Sequence, residues 1–331
     1  MTAFWFLTAP KTLFDQADSR LSAGDPQVGR LVFLAASCGS CHATPGQANP
    51  LLLGGGMALA SPFGVFRPPN ISPDVKDGIG SWSAADLANA LIAGVSPAGH
   101  HYYPAFPYTS YTGMDVRDVA DLYAYLRTLP AVSGRPPPHD LPFFARIRRL
   151  IGLWKLFFFT RQRQAPNVAG DAVFNRGAYL VEAVTHCAEC HSTRNVLGAI
   201  KPTARYAGGP DAEGTGFVPN ITARRLSGWT QADVSEMLAT GKTPQGGHVA
   251  PQWWMSSPIS RNSLRPTATP SRATSNPCPR SIPRIRKVIW HKGRQQHAAP
   301  RFQLSLSRAS PSAWKNPLET RSSGRDCPAC C

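Results

Sequence analysis

Two five-residue runs constrain this chain more than anything else in it: Cys38-Gly39-Ser40-Cys41-His42 and Cys187-Ala188-Glu189-Cys190-His191. Two thiols two residues apart can add to the two vinyl groups of one haem, and the imidazole that follows reaches the iron from the proximal side. We therefore expect Cys38, Cys41, Cys187 and Cys190 to attach two haem c groups, with His42 and His191 as proximal ligands. Paired CxxC motifs can also build a zinc site. Here the pairs lie 149 residues apart and each carries its own histidine, which favours haem. The other four cysteines, Cys278, Cys327, Cys330 and Cys331, fall in the last quarter of the chain. Cys330 is followed by Cys331 rather than histidine, so that pair is no third site.

The two runs belong to a repeat. Pro69-Asn70-Ile71-Ser72 aligns with Pro219-Asn220-Ile221-Thr222 at an offset of 150, and Trp82 through Pro97 aligns with Trp229 through Pro244 at 147. Gly29 pairs with Gly177 at 148. Offsets this constant indicate a duplicated unit. Ser83 to Asp86 and Thr230 to Asp233 resemble capping boxes with aspartate in the glutamate position. Each is followed by an i, i+4 apolar pair, Leu87/Leu91 and Val234/Leu238. Met237 falls opposite Ala90 in the repeat, which makes it core and not an iron ligand. Val119, Leu122, Leu126 and Leu129 then form a closing helix that Pro130 ends. No strand-like alternation of any length interrupts this, so the fold class is all-α.

The distal ligand decides what such a haem does, because a methionine thioether raises the potential and favours electron transfer over oxygen chemistry. In the first unit Met114, just ahead of the closing helix, is preferred to Met57, which sits in a glycine-rich loop close after His42. His100 and His101 are the alternative ligands, and more readily propionate or surface groups. In the second unit only Met255 follows, in Trp253-Trp254-Met255-Ser256.

The formal charge is +16, but residues 256–331 hold 14 Lys/Arg against 2 Asp/Glu. The motif-bearing part carries only +4 and shows no basic face interleaved with aromatics, so nucleic acid is not an expected partner. Ala3 to Ala9 is apolar yet far short of the ~20 residues of a membrane span. We read residues 1–20 as the remnant of a longer export or anchoring segment. Leu141 to Thr160 is aromatic and basic. Two uses stay open for it: a linker packing its apolar side between the haem units, or a segment lying on an anionic membrane or a partner.

The run from Gly29 to about Gly247 resembles the dihaem cytochrome c subunits of membrane-bound bacterial dehydrogenases for alcohols, sugars and aldehydes. The resemblance rests on Pro69-Asn70-Ile71, Gly78-Ile79-Gly80-Ser81-Trp82-Ser83, Tyr103-Pro104-Ala105-Phe106-Pro107-Tyr108 and Arg176-Gly177-Ala178-Tyr179-Leu180-Val181-Glu182. It implies two tandem class I cytochrome c domains, residues 21–135 and 170–255, joined by 136–169. It further implies an electron carrier without turnover of its own, at the periplasmic side of the inner membrane. Electrons would come from a partner dehydrogenase and pass towards quinone or a terminal oxidase. Some members place the ligand methionine where Phe106 stands. The competing classes are a dihaem peroxidase and a non-functional product.

The second domain breaks off as a repeat after Gly247. Residues 256–331 are rich in Ser, Pro and Arg without apolar periodicity, a composition typical of disorder. A changed reading frame is the other explanation. Codons permitted for Arg272 to Pro279, read two nucleotides later, allow Arg-Tyr-Leu-Lys-Ser-Leu-Pro; the first unit has Ala124-Tyr125-Leu126-Arg127-Thr128-Leu129-Pro130. The same frame across Ala250 to Met255 allows Pro-Met-Val-Asp-Val. On this reading the second haem has lost its distal methionine and the helix that crosses Gly177, and is misligated.

Overall fold

The computed structural model describes residues 2–161, 170–212 and 216–249; Met255 and the tail at 256–331 lie outside them. Helix α1 spans Thr2–Leu7, α2 Pro26–Ala35 and α3 Cys38–His42. Strands β1, Leu59–Ser61, and β2, Gly64–Phe66, pair antiparallel. Helix α4, Ala84–Ala88, widens into a π turn at Asn89–Ala93. Then come α5, Tyr108–Tyr111, α6, Val116–Leu126, and α7, Arg148–Phe158. Helix α8, Ala172–Tyr179, ends in a second π turn, Leu180–Val184, followed by α9, Cys187–Cys190. A two-residue pair, β3 at Gly209–Pro210 and β4 at Phe217–Val218, precedes α10, Gln231–Thr240. The fold is helical as expected, with one correction. Two short ladders occur, the first where Gly64, at φ 108°, turns the chain back on Ser61.

Helices α2 and α6 cross at glycines. A Cβ on Gly29 would lie 1.8 Å from the Asp121 carbonyl oxygen, and one on Gly24 would lie 2.1 Å from that of Ala120. This approach is closed by polar groups as well. Buried Asp121 accepts from the Asp25 amide at 2.6 Å, while Asp25 caps α2 and Asp115 caps α6. Val119, Leu122, Leu126 and Leu129 are all buried, as their spacing predicts, and pack with Val32, Phe33, Leu53, Leu87 and Leu91.

Both capping boxes are complete. The Ser83 and Thr230 amides donate to Asp86 and Asp233, and the return bonds are 3.2 and 3.1 Å, so aspartate serves at this position. The apolar pairs behind them differ. Leu87 and Leu91 are buried, but Leu238 is 39% exposed and α8 and α10 contain no buried residue. The described residues of the second unit include no counterpart of α6 to cover them.

Lys155 reaches in from α7 to cap the end of the first π turn. Its ammonium donates to the Ala93 and Gly94 carbonyls at 2.8 Å each and lies 4.5 Å from the Tyr108 ring centre. Burial pulls its pKa down to about 7, while these carbonyls and the ring favour the charged form. Replacing Lys155 by methionine should cost roughly 1.5–3 kcal/mol, the worth of charged hydrogen bonds, measured by denaturant unfolding.

Candidate haem sites

Each CxxCH motif begins behind a residue in the left-handed region, Ser37 at φ 51° and His186 at φ 44°. A short helix follows in each motif, Cys38–His42 and Cys187–Cys190, and its i, i+3 spacing places the two cysteines on one side. Burial pushes the Cys38 thiol up to about 12 and raises Cys41 and Cys187. Buried thiols of this kind are poor thiolate ligands. Among the described residues no group of three or more His, Cys, Asp or Glu is arranged to hold a metal ion.

The two motif histidines are held in the same way. His42 Nδ1 lies 2.8 Å from the Pro69 carbonyl and His191 Nδ1 lies 2.7 Å from the Pro219 carbonyl. Since a carbonyl only accepts, Nδ1 carries the proton and Nε2 keeps its lone pair. Burial lowers both pKa values and favours the neutral ring. These two prolines were visible in the sequence only as a repeated motif, and their carbonyls are what the imidazoles meet. Neighbouring backbone repeats as well. The Gly55 amide donates to His42 and that of Gly208 to His191, at 2.9 and 2.8 Å. Ile71 and Ile221 donate to Leu53 and Tyr206.

Asn70 shows what differs between the units. It is buried, accepts from the Ser72 amide, and donates to the Val132 and Gly134 carbonyls beyond the closing helix at 2.6 and 3.0 Å. Asn220 accepts from Thr222 in the same manner, yet its amide has no acceptor among the described residues.

Met114 is 5% exposed, between α5 and α6, in the core with Val119 and Leu122. Met57 is half-buried beside β1. His101 is no free ligand: its Nε2 contacts the Thr8 carbonyl at 2.9 Å and its ring sits under Gly152. His100 is exposed. The residues fit haem c in a further respect. Among the described residues the buried hydroxyls of Tyr108 and Thr112 have no hydrogen-bond partner, which leaves donors for a polar group such as a propionate.

The two motifs are placed against each other. His186 Nε2 lies 3.3 Å from the Ala36 carbonyl, two residues ahead of Cys38, and its ring meets Tyr111 edge-on at 5.5 Å. Glu189, inside the second motif, accepts from Thr109 at 2.6 Å and Ser110 at 3.0 Å, and pairs with Arg194 at 2.6 Å. Tyr179 donates to Asp118 and accepts from the Asp115 amide next to Met114. Sequence inspection missed His186 and the roles of Glu189 and Tyr179, because contacts between repeat units leave no periodic signal.

Residues 27–130 match the family model for cytochrome c. Over 238 residues the chain is 46% identical to a diheme cytochrome c-type protein of Cereibacter sphaeroides, covering 69% of this chain and 78% of that one. It is 37% identical over 239 residues to the fructose dehydrogenase cytochrome subunit of Gluconobacter japonicus, covering 70% of this chain and 48% of the relative. It is 30% identical over 237 residues to the gluconate 2-dehydrogenase cytochrome c subunit of Pantoea cypripedii, covering 68% of this chain and 53% of the relative. The chain thus spans about half the length of those two dehydrogenase subunits.

Proposed function

From the chain's membership of the dihaem cytochromes c, the family of electron-transfer subunits of bacterial dehydrogenases, we infer that it holds two covalent haem c groups and carries electrons from a partner dehydrogenase. It is an electron carrier, with no catalytic step of its own. The observation that carries the two-haem reading is the matched pair of imidazoles, each fixed on a proline carbonyl within one CxxCH motif. Bound haem supplies a one-electron iron centre whose potential is set by its axial ligands. The chain's residues do the rest. Cys38 with Cys41, and Cys187 with Cys190, hold the macrocycles; Pro69 and Pro219 orient the imidazoles of His42 and His191. Met114 closes the first site and excludes water from it.

The domains are 21–135 and 170–255, and the acceptor is quinone or a terminal oxidase on the periplasmic side of the membrane. The second site keeps its proximal half and lacks the intended distal one. Support comes from the described residues alone, none of which lies within 4 Å of a Cβ on Gly177 or accepts from the side-chain amide of Asn220. The cause is a reading-frame change in the tail, and Met255 is at best a makeshift ligand. Haem stoichiometry and a redox titration of the holoprotein test this. Two haems per chain are expected, one at a methionine-type potential and one far below it. One haem per chain would refute the second site, and two methionine-type potentials would refute misligation. Sequencing the gene tests the frame: stop codons soon after the shift would end that explanation.

A further inference from the structure

Helix α7 has its polarity inside out. Its stripe Arg148, Gly152, Lys155 and Phe159, at helical spacing, faces the first unit. Arg148 donates to the His101 carbonyl at 3.1 Å and stacks 3.9 Å from the Tyr103 ring, and Lys155 caps the π turn. Gly152 is buried so closely that a Cβ there would meet the Thr8 carbonyl at 2.4 Å. On the opposite side Ile147, Leu150 and Phe157 look outward, with Phe157 74% exposed, while Trp154 between them is half-buried and donates to the Leu197 carbonyl at 2.9 Å. Phe143, just before the helix, is 82% exposed. An ordinary surface helix does the reverse, burying its apolar face and hydrating its charges.

Helix α1 extends the same surface. Arg149 donates to the Trp5 carbonyl and lies 4.7 Å from its ring, joining α1 to α7. Trp5 is 52% and Phe6 75% exposed beside it. A contiguous apolar surface of this kind on a soluble domain marks a contact site. Its electrostatics select the occupant. Residues 141–170 contain no Asp or Glu and no acid precedes Asp15, while Arg148, Arg149 and Lys155 are held on backbone carbonyls. The exposed cations Lys11, Arg146 and Arg161 belong to these same segments. Aromatic side chains with basic neighbours and no acid suit an anionic lipid surface, where rings enter the headgroup region and cations meet phosphate.

We propose that the α1–α7 face, centred on Trp5, Phe6, Phe143 and Phe157, is a membrane-contact surface that lays the cytochrome flat on an anionic bilayer. Among the described residues no helix is long and apolar enough to cross a membrane, and this surface needs none. Charges turned inward on α7 leave the outward face free of desolvation penalties when it enters lipid. The proposal rests on the reading that the carrier works at a membrane.

The test uses the purified full-length holoprotein and large vesicles of phosphatidylethanolamine with phosphatidylglycerol, compared with phosphatidylcholine alone. Co-sedimentation is expected with the anionic vesicles and should weaken as salt is raised. Trp5→Glu with Phe157→Glu should reduce partitioning roughly tenfold or more, since each places a charge where a ring entered lipid. Haem content and the reduced spectrum should not change, because both positions are exposed. Absence of sedimentation, equal binding to both vesicle types, or binding untouched by the substitutions would each overturn the proposal. So would intact vesicle binding with loss of a complex with the partner dehydrogenase, which would assign the face to protein. None of these results bears on electron transfer, which the redox titration tests separately.

Discussion

Gly29→Ala should destabilise the protein by roughly 3 kcal/mol, whereas Gly177→Ala, the same change at the matching position of the repeat, should leave it unharmed. The new Cβ at position 29 would lie 1.8 Å from the Asp121 carbonyl oxygen, a backbone atom that cannot swing away. Relief requires α2 and α6 to separate, which loosens Val32, Phe33 and Val119 and strains the bond from the Asp25 amide to Asp121. At Gly177 nothing among the described residues lies within 4 Å of a Cβ. Alanine there keeps α8 and improves its helix propensity by up to ~1 kcal/mol. Urea unfolding of both variants, followed by far-ultraviolet dichroism, measures the contrast. The same pair also tests the reading frame. In a gene restored to the frame that encodes a closing helix, Gly177→Ala should become as damaging as Gly29→Ala. Equal, large losses in the chain as it stands would show that Gly177 is already crossed, and the proposed loss of the closing helix would be wrong.

How much of this was legible in the sequence differs by type of feature. Local features were: the aspartate capping boxes and the stripe from Val119 to Leu129 each follow from spacing along one segment. The repeated contacts of His42 with Pro69 and of His191 with Pro219 fall on landmarks whose equal offsets were legible. The role of Pro69 and Pro219 was not, since a backbone carbonyl has no residue-type signature. The left-handed turns at Ser37 and His186 were hidden because neither is glycine or asparagine, the residues that usually announce that geometry. The two ladders were too short for alternation to register. Helix α7 is the most instructive case. Its sequence displays an apolar and a basic stripe, and ordinary hydration logic points the basic one outward. Backbone carbonyls at His101, Ala93 and Gly94 reverse that choice, and only the folded chain brings them under the helix.

Met114, which we propose as the distal ligand of the first haem, carries the other large expected effect. Met114→Leu should lower the potential of that haem by something on the order of 0.2 V, a fraction of the ~0.8 V that axial ligation spans. Leucine is the informative replacement because it keeps the volume that Met114 fills beside Val119 and Leu122, so the packing loss stays under ~1.5 kcal/mol. Alanine would add a cavity cost of about 2–5 kcal/mol and confuse ligation with unfolding. Losing the thioether removes the ligand that favours ferrous iron, and the methionine-to-iron band of the oxidised spectrum should vanish with it. Met57→Leu is the control, expected to leave potential and spectrum in place, since Met57 is half-buried beside β1 rather than in the core between α5 and α6. Loss of the band in the Met57 variant with its survival in the Met114 variant would reverse the assignment. The measurement also isolates the second haem. Once the first has lost its methionine, any remaining methionine-type wave in the titration must come from the site of His191. The reading of that site as misligated predicts that none remains.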